Sequence, residues 1–94
     1  MEIDLAGRSA VITGGSKGVG LAVATRFAAS GADVAIVARG REGLDAALKT
    51  IGATARGRVV AVQGDVALMG DIQRAYDEAM AAFGKIDILV NNAG

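Results

Sequence analysis

The stretch that most constrains this chain is VITGGSKGVG, residues 11–20, in which glycines crowd between an apolar run and a helical pattern. The apolar run ends near Thr13, and the residues after Gly20 have the spacing of a helix. A helix that starts directly after such a loop points its free backbone N–H groups toward the loop, where they favour an anion. Glycines here permit either a tight turn or the close approach of a phosphate group. A cluster of this density favours the phosphate interpretation.

Apolar segments with two different periods alternate along the rest of the chain. Short apolar runs rich in β-branched residues predict buried strands, and runs with apolar residues three and four positions apart predict helices. The predicted strands are residues 9–13, 34–38, 59–63 and 86–90, and the predicted helices are 19–30, 41–51 and 71–83. Gly31 and Gly84 follow two of these helices, as C-terminal glycines commonly do. The order β-α-β-α-β-α-β predicts an α/β fold with a parallel sheet.

Composition excludes several classes of function. The 94 residues suggest one domain, and their formal net charge of zero gives no reason to expect nucleic acid or an anionic membrane as a partner. The chain has no cysteine and no histidine, so it offers neither disulfides nor Cys/His chemistry, and we predict no metal site. The N-terminus lacks the apolar core of a secretory signal, and no apolar run approaches membrane-spanning length. We therefore expect a cytoplasmic protein.

The spacing of the glycines separates this loop from two commoner phosphate-binding motifs. Residues 13–20 fit TG-x-x-x-G-x-G. They do not fit G-x-G-x-x-G, because Val23 occupies the position of its last glycine, and they lack the Gly-Lys-Ser/Thr of a P-loop. Two further segments follow predicted strands, namely Gly64-Asp65-Val66 after the third and NNAG, residues 91–94, after the fourth. All three segments lie at carboxyl ends of strands, where an open parallel sheet binds its ligand.

Together these three segments resemble the short-chain dehydrogenase/reductase family, over essentially the whole chain. The resemblance implies a Rossmann-like parallel sheet with helices on both faces, of which this chain holds the first β-α-β-α-β-α-β portion. It also implies an NAD(P)(H)-dependent oxidoreductase that reduces a carbonyl or oxidises an alcohol by hydride transfer. Residues 1–94 are then the N-terminal part of the cofactor-binding domain, ending at the NNAG motif as if truncated there.

The same resemblance assigns a role in cofactor binding to residues of all three segments. The glycines would approach the pyrophosphate, Ser16 would bond a phosphate or ribose oxygen, and Val19 would offer its N–H. The third-strand segment would contact the adenine, and the NNAG segment would line the ribose and nicotinamide. The residues so assigned are Gly14, Ser16, Lys17, Gly18, Val19, Gly20, Arg39, Asp65, Val66, Asn92, Ala93 and Gly94. Ser16 as a helix N-cap and Asp65 as a turn or cap residue remain alternatives, and Asn91 is expected to be structural.

The end of the second predicted strand indicates which cofactor is preferred. An acidic residue there would bond the ribose hydroxyls and repel a 2′-phosphate. This chain has Arg39 at that point, and Lys17 adds a cation within the glycine loop. These two basic residues resemble those of family members that prefer NADP(H) over NAD(H). The alternative is that Arg39, like Arg41, is only a solvated surface charge.

No catalytic residue is predicted in this chain. The family uses a serine, a tyrosine and a lysine four residues after that tyrosine, and it places them after NNAG. The only tyrosine here is Tyr76, which lies in an apolar helical stripe and is followed at four residues by Met80. We therefore expect Tyr76 to pack in the core, the isolated chain to be inactive, and its last strand to be an exposed apolar edge.

Two other classes of function remain open. One is a non-catalytic dinucleotide-binding module, and the other is a nucleoside-phosphate-binding protein of another class. The absence of Gly-Lys-Ser/Thr and the presence of NNAG argue against the second of these. The full-length protein is expected to be a homo-oligomer that acts on a small carbonyl or alcohol, without nucleic-acid or membrane partners.

Overall fold

The computed structural model describes residues 4–92, which form four strands and three helices in strict alternation. In chain order they are β1 (Ser9–Thr13), α1 (Gly18–Ala29), β2 (Asp33–Ala38), α2 (Arg41–Gly52), β3 (Val59–Gln63), α3 (Met69–Phe83) and β4 (Ile88–Asn91). The predicted β-α-β-α-β-α-β order is confirmed, and β1 and β3 have the predicted bounds. Gly84 ends α3 with a φ of 81°, as its position after the helical pattern predicted.

The fourth strand begins later than predicted. Residues 86–90 were expected to form it, but pairing with β1 starts only at Ile88, opposite Ala10. The Asp87 N–H donates to the Ser9 carbonyl, as a backbone partner would. The Ser9 N–H, however, donates to the Asp87 carboxylate at 2.9 Å and not to a backbone carbonyl. A side-chain bond thus replaces a ladder bond at this point, which periodicity alone does not reveal.

All four strands run parallel in a single sheet with the order β3-β2-β1-β4. The central strand β1 pairs with β2 through Ser9 to Asp33 and Thr13 to Val37, and with β4 through Ala10 to Ile88 and Thr13 to Asn91. Parallel strands joined by helices end at the same edge of a sheet. The carboxyl ends of all four strands therefore meet at one edge, as the sequence predicted.

Helices cover both faces of the sheet. Alternate residues of the strands point to opposite faces, so Ile12 and Ile36 join a core with α1 and α2, whereas Val11 and Val37 join a second core with α3. Buried alanines such as Ala24, Ala28, Ala47 and Ala79 let the helices approach the sheet closely. The structure is therefore the predicted Rossmann-like α/β arrangement.

The face that carries α3 is only partly covered. A pocket of about 210 Å³ lies between α3 and the β1–β4 half of the sheet, lined by Val11, Thr13, Val37, Val66, Ile72, Ala75, Tyr76, Leu89 and Asn91. Tyr76 packs against the second core, as its position in an apolar stripe predicted. The edge strand β4 leaves Leu89 52% exposed, in keeping with the expected apolar edge. None of the helices in residues 4–92 has the length and hydropathy needed to cross a bilayer.

Two carboxylates form hydrogen bonds and ion pairs at the amino ends of the strands, at the edge of the sheet opposite the glycine loop. Asp33 accepts the Arg58 N–H at 2.8 Å and pairs with the Arg58 guanidinium at 3.1 Å, while Asp87 pairs with Lys85 at 3.1 Å. Burial raises the pKa of Asp33, but the hydrogen bonds from Arg58 and the charges of Arg58 and Lys85 outweigh it and hold that pKa below its ordinary value. The Ser9 N–H and then Lys85 likewise lower the pKa of Asp87.

We predict that Asp33→Asn destabilises the fold by about 1 kcal/mol at neutral pH, because the amide keeps an acceptor but loses the charge-assisted bonds. A carboxyl whose pKa is lowered by folding stabilises the fold above its unfolded pKa of about 4, and this stabilisation is lost as the pH falls through the folded pKa. The difference between wild type and variant should therefore vanish in acid. Urea unfolding at pH 7 and in acid measures it.

Asp45→Asn is the matched control, because Asp45 lies 58% exposed in a pair with Arg41 on the surface of α2. Exposed pairs contribute about 0–1 kcal/mol, so this variant should change stability by less than Asp33→Asn does. An equal loss in both variants, or a loss at Asp33 that persists unchanged in acid, would contradict the role of the Asp33 charge.

Candidate functional site

The loop between β1 and α1 takes its shape from glycines in the left-handed backbone region. Gly14 has a φ of 67° and Gly18 a φ of 61°, a conformation that other residues seldom adopt. The Gly14 N–H donates to the Val37 carbonyl of β2 at 2.8 Å, so the loop leaves the sheet from a fixed point. The chain then turns sharply and enters α1 at Gly18.

Gly20 allows three segments of the site to meet. A Cβ at Gly20 would overlap the carbonyl oxygen of Gly14 and lie 2.8 Å from Nδ2 of Asn92. Hydrogen is thus the only side chain that fits, and the first turn of α1 packs backbone against backbone on the start of its own loop. Asn92, which follows β4, lies beside both. The structure therefore brings together Gly14, Gly20 and Asn92, as the sequence predicted for one binding site.

The N-terminus of α1 has no side-chain cap. Lys17 occupies the N-cap position without a side-chain hydrogen bond, and the first turn holds no acidic residue. The alternative that Ser16 caps the helix is therefore wrong; its side chain lies beside the first turn of α2, near Gly43. The Leu21 N–H is bonded to the Lys17 carbonyl at 3.3 Å. The N–H groups of residues 18–20 precede it, in the positions that a helix leaves for an outside acceptor.

A threonine that the sequence analysis did not single out joins β1 to the end of β4. Oγ1 of Thr13 lies 3.1 Å from Oδ1 of Asn91 and accepts the Asn92 N–H at 3.0 Å. Asn91 is thus engaged with the neighbouring strand, as expected of a structural residue. The Thr-Gly pair that opens the loop was the available signal for Thr13. The predicted contributions of Ala93 and Gly94 lie outside the described residues.

A second concave region lies at the ends of β2 and β3. This cleft has a volume of about 430 Å³ and is lined by Arg39, Gln63, Gly64, Asp65, Asp71 and Arg74. Within residues 4–92 the Arg39 guanidinium takes part in no ion pair, whereas Arg41 pairs with Asp45 at 3.4 Å. The two arginines after β2 therefore differ in their surroundings, and Arg39 is the one that borders the cleft.

Asp65 and Val66 line different concave regions, Asp65 the cleft and Val66 the pocket beside α3. Oδ1 of Asp65 accepts the Ala67 N–H at 2.9 Å, so the turn role left open for Asp65 is present. This bond uses one carboxylate oxygen, and the residue still lines the cleft. The Val66 side chain packs against the second core, which leaves its backbone as the part available to a ligand.

Besides Thr13, four residues of this edge were missed at the sequence level. Gly15 is buried, and a Cβ there would lie 2.6 Å from Cγ2 of Ile36. The loop can therefore lie on β2 only because residue 15 is also a glycine. Gln63, Asp71 and Arg74 form hydrogen bonds around the cleft. Gly15 stood within a visible motif. The other three are separated along the chain, and only the placement of α3 beside β3 brings them together.

The arrangement suits a ligand with a phosphate group near α1 and a second anionic or polar group near Arg39. Uncapped backbone N–H groups and the absence of acid from the first turn favour an anion at the glycine loop. A Cβ at Gly18 would meet nothing within 4 Å, so the loop is open at that residue. A dinucleotide that lies across the carboxyl edge of the sheet fits these features together.

Known proteins share this pattern. The family model for short chain dehydrogenase matches residues 8–94. The chain is 46% identical over 90 residues to oxidoreductase asL5 of Sarocladium schorii, which covers 96% of this chain and 34% of that protein. It is 45% identical over 96 residues to 3beta-hydroxysteroid dehydrogenase 1 of Eggerthella lenta, covering 100% of this chain and 36% of the relative.

A solved structure shows the same fold. L-sorbose reductase from Gluconobacter frateurii, complexed with NADPH and L-sorbose, superposes with a TM-score of 0.92 at 40% identity, covering 100% of this chain and 36% of that one. The chain thus spans about a third of the length of the relatives that it matches. With a family model matched over nearly all of its residues and the glycine loop and strand-end segments in place, the chain belongs to the short-chain dehydrogenase family of oxidoreductases.

Proposed function

We propose that residues 1–94 form the cofactor-binding part of an NAD(P)(H)-dependent oxidoreductase that prefers NADP(H). The observation that carries the proposal is the uncapped N-terminus of α1, held against Asn92 by the backbone contact between Gly14 and Gly20. When bound, the nicotinamide cofactor would supply the hydride that is exchanged with a carbonyl or alcohol carbon. The relative crystallised with NADPH supports this class of ligand.

The residues of this chain would bind and orient the cofactor. The N–H groups of the first turn of α1, with the Val19 N–H among them, would donate to the pyrophosphate, and Ser16 and Lys17 would complete the loop. Asp65 and the backbone of Val66 would contact the adenine. Asn92, with Ala93 and Gly94, would line the ribose and nicotinamide.

The preference for NADP(H) rests on Arg39. Its guanidinium borders the cleft at the ends of β2 and β3 without an ion pair in the described part of the chain, so it is available to a 2′-phosphate. No acidic residue stands at the end of β2 to bond the ribose hydroxyls instead. Lys17 in the glycine loop adds positive charge at the same edge.

The catalytic serine, tyrosine and lysine of the family are proposed to lie outside these residues. Tyr76 packs against the second core, and the residue four positions after it is Met80, not a lysine. We further propose a small carbonyl or alcohol as substrate, a homo-oligomeric full-length protein and a cytoplasmic location. A non-catalytic dinucleotide-binding module is the second candidate, because the N-terminus of α1 and the cleft beside Arg39 would bind the dinucleotide in either case.

Arg39→Asp is predicted to weaken NADPH binding about tenfold to a hundredfold more than NADH binding. The variant removes a charge-assisted bond to the 2′-phosphate and restores the acid that suits ribose hydroxyls. Fluorescence titration with both cofactors measures the ratio. Arg41→Asp is the matched control, because it makes the same charge change two residues along the chain, at a residue that is paired with Asp45 and does not line the cleft. Equal losses of both cofactors in Arg39→Asp would contradict the assignment.

Gly20→Ala is predicted to weaken binding of NADPH and NADH alike, by at least about tenfold, since the added Cβ would force the Gly14 carbonyl and α1 apart. The same titration measures the loss, with circular dichroism to check folding. Gly70→Ala is the control, because a Cβ at Gly70 on α3 meets nothing within 4 Å. Unchanged affinity for both cofactors in a folded Gly20→Ala protein would contradict the proposed role of the glycine loop in binding.

The isolated 94-residue chain is predicted to reduce no carbonyl compound, because its tyrosine is packed in the core and lacks the lysine partner. NADPH oxidation followed by absorbance, with a panel of small carbonyl substrates, tests this. The full-length protein serves as the positive control. Turnover by the isolated chain would overturn the proposal that the catalytic residues lie elsewhere, and binding without turnover by the full-length protein would favour the non-catalytic module.

A further inference from the structure

We infer that Gln63 is a positioning residue for cofactor preference, holding the backbone of Arg39 within a hydrogen-bonded network that also includes Asp71 and Arg74. The inference rests on the proposed function, since it concerns how Arg39 is presented to a 2′-phosphate. It assigns roles to three residues that belong to none of the sequence motifs.

The first step is the contact between Gln63 and Arg39. Nε2 of Gln63 donates to the Arg39 carbonyl at 2.9 Å, and the next N–H along the chain, that of Gly64, donates to the Ala38 carbonyl at 2.9 Å. The ladder between β2 and β3 ends at the pair Ala38–Gln63. The Gln63 side chain therefore extends the hydrogen bonding between β2 and β3 by one residue, to the backbone of Arg39.

The second step is the bond that holds Gln63 itself. Nη2 of Arg74 donates to the Gln63 carbonyl at 2.7 Å. The same guanidinium contacts Asp71 at 3.5 Å and Glu78 at 3.8 Å. Arg74 is thus engaged with the backbone of β3 and with two carboxylates of its own helix, so its charge is largely compensated where it stands.

The third step connects this network to the predicted adenine contact. Oδ2 of Asp71 accepts the Asp65 N–H at 2.7 Å. The backbones of Arg39 and Asp65, which enter the cleft from two different strands, are therefore joined through three intervening side chains. All of these residues line the same cleft of about 430 Å³.

Gln63 differs from its partners because it is neutral. Removing it changes no charge in the cleft, so an effect on NADPH alone would have to pass through the geometry of Arg39. A charge-assisted bond to phosphate depends on direction as well as distance. A residue that only joined β2 to β3 would, when replaced, affect both cofactors alike.

The test uses Gln63→Met in the full-length protein, with NADPH and NADH titrated by fluorescence. We expect NADPH affinity to fall about fivefold, or about 1 kcal/mol, while NADH affinity changes less than twofold. Gln73→Met is the matched control, because Gln73 makes a similar exposed side-chain bond to Asp77 at 3.0 Å, away from the cleft. Gln63→Asn, whose amide is one methylene shorter, is expected to reproduce the effect and guards against a fault specific to methionine.

The double variant with Arg39→Met separates positioning from general damage. If Gln63 acts through Arg39, the Gln63→Met change has no further effect on NADPH once the guanidinium is gone. Equal loss of both cofactors in Gln63→Met, or an additive loss in the double variant, overturns the inference while the role of Arg39 stands. If Arg39→Met leaves the ratio of NADPH to NADH affinity unchanged, the proposed preference itself is wrong, and the inference falls with it.

Discussion

The structure depends on a backbone contact that only glycine permits. Gly20, in the first turn of α1, lies against the carbonyl of Gly14 with no space for a Cβ. This contact sets the angle at which α1 leaves β1, and so places its uncapped N-terminus over the carboxyl edge of the sheet. Because all four strands run parallel, the same edge collects their carboxyl ends. The packing of the fold and the candidate site thus share one cause.

The period of the apolar residues was sufficient to predict the helices and strands, but not the hydrogen bonds at their ends. Strands β1 and β3 have the predicted bounds because their apolar runs and their ladders with β2 cover the same residues, 9–13 and 59–63. The start of β4 was predicted too early because the carboxylate of Asp87 takes the Ser9 N–H in place of a backbone partner. The capping role considered for Ser16 was wrong because the loop passes one residue further, to Lys17, before the helix begins. At β4 a local hydrogen bond, which has no period, decided the outcome.

The site divides in the same way. Gly14, Gly20 and Asn92 were predicted from compact motifs, and the structure places them together, while their role in binding a cofactor stays a prediction. Thr13 and Gln63 stand at strand ends and were read only as parts of strands. Asp71 and Arg74 lie on α3, and their contact with β3 arises from the way that helix packs on the sheet. Such contacts depend on tertiary packing, which a single sequence does not encode in any local pattern.

The charges of the cleft show why placement matters as much as composition. The chain is neutral overall, so no general field draws a phosphate to this edge. Arg74 is engaged with Asp71, Glu78 and the Gln63 carbonyl, whereas the Arg39 guanidinium has no carboxylate partner within residues 4–92. Of the two arginines that line the cleft, Arg39 is therefore the one whose bonding capacity remains for a ligand. Its backbone is held by Gln63, and a cation so held loses less freedom on binding than one on a mobile loop.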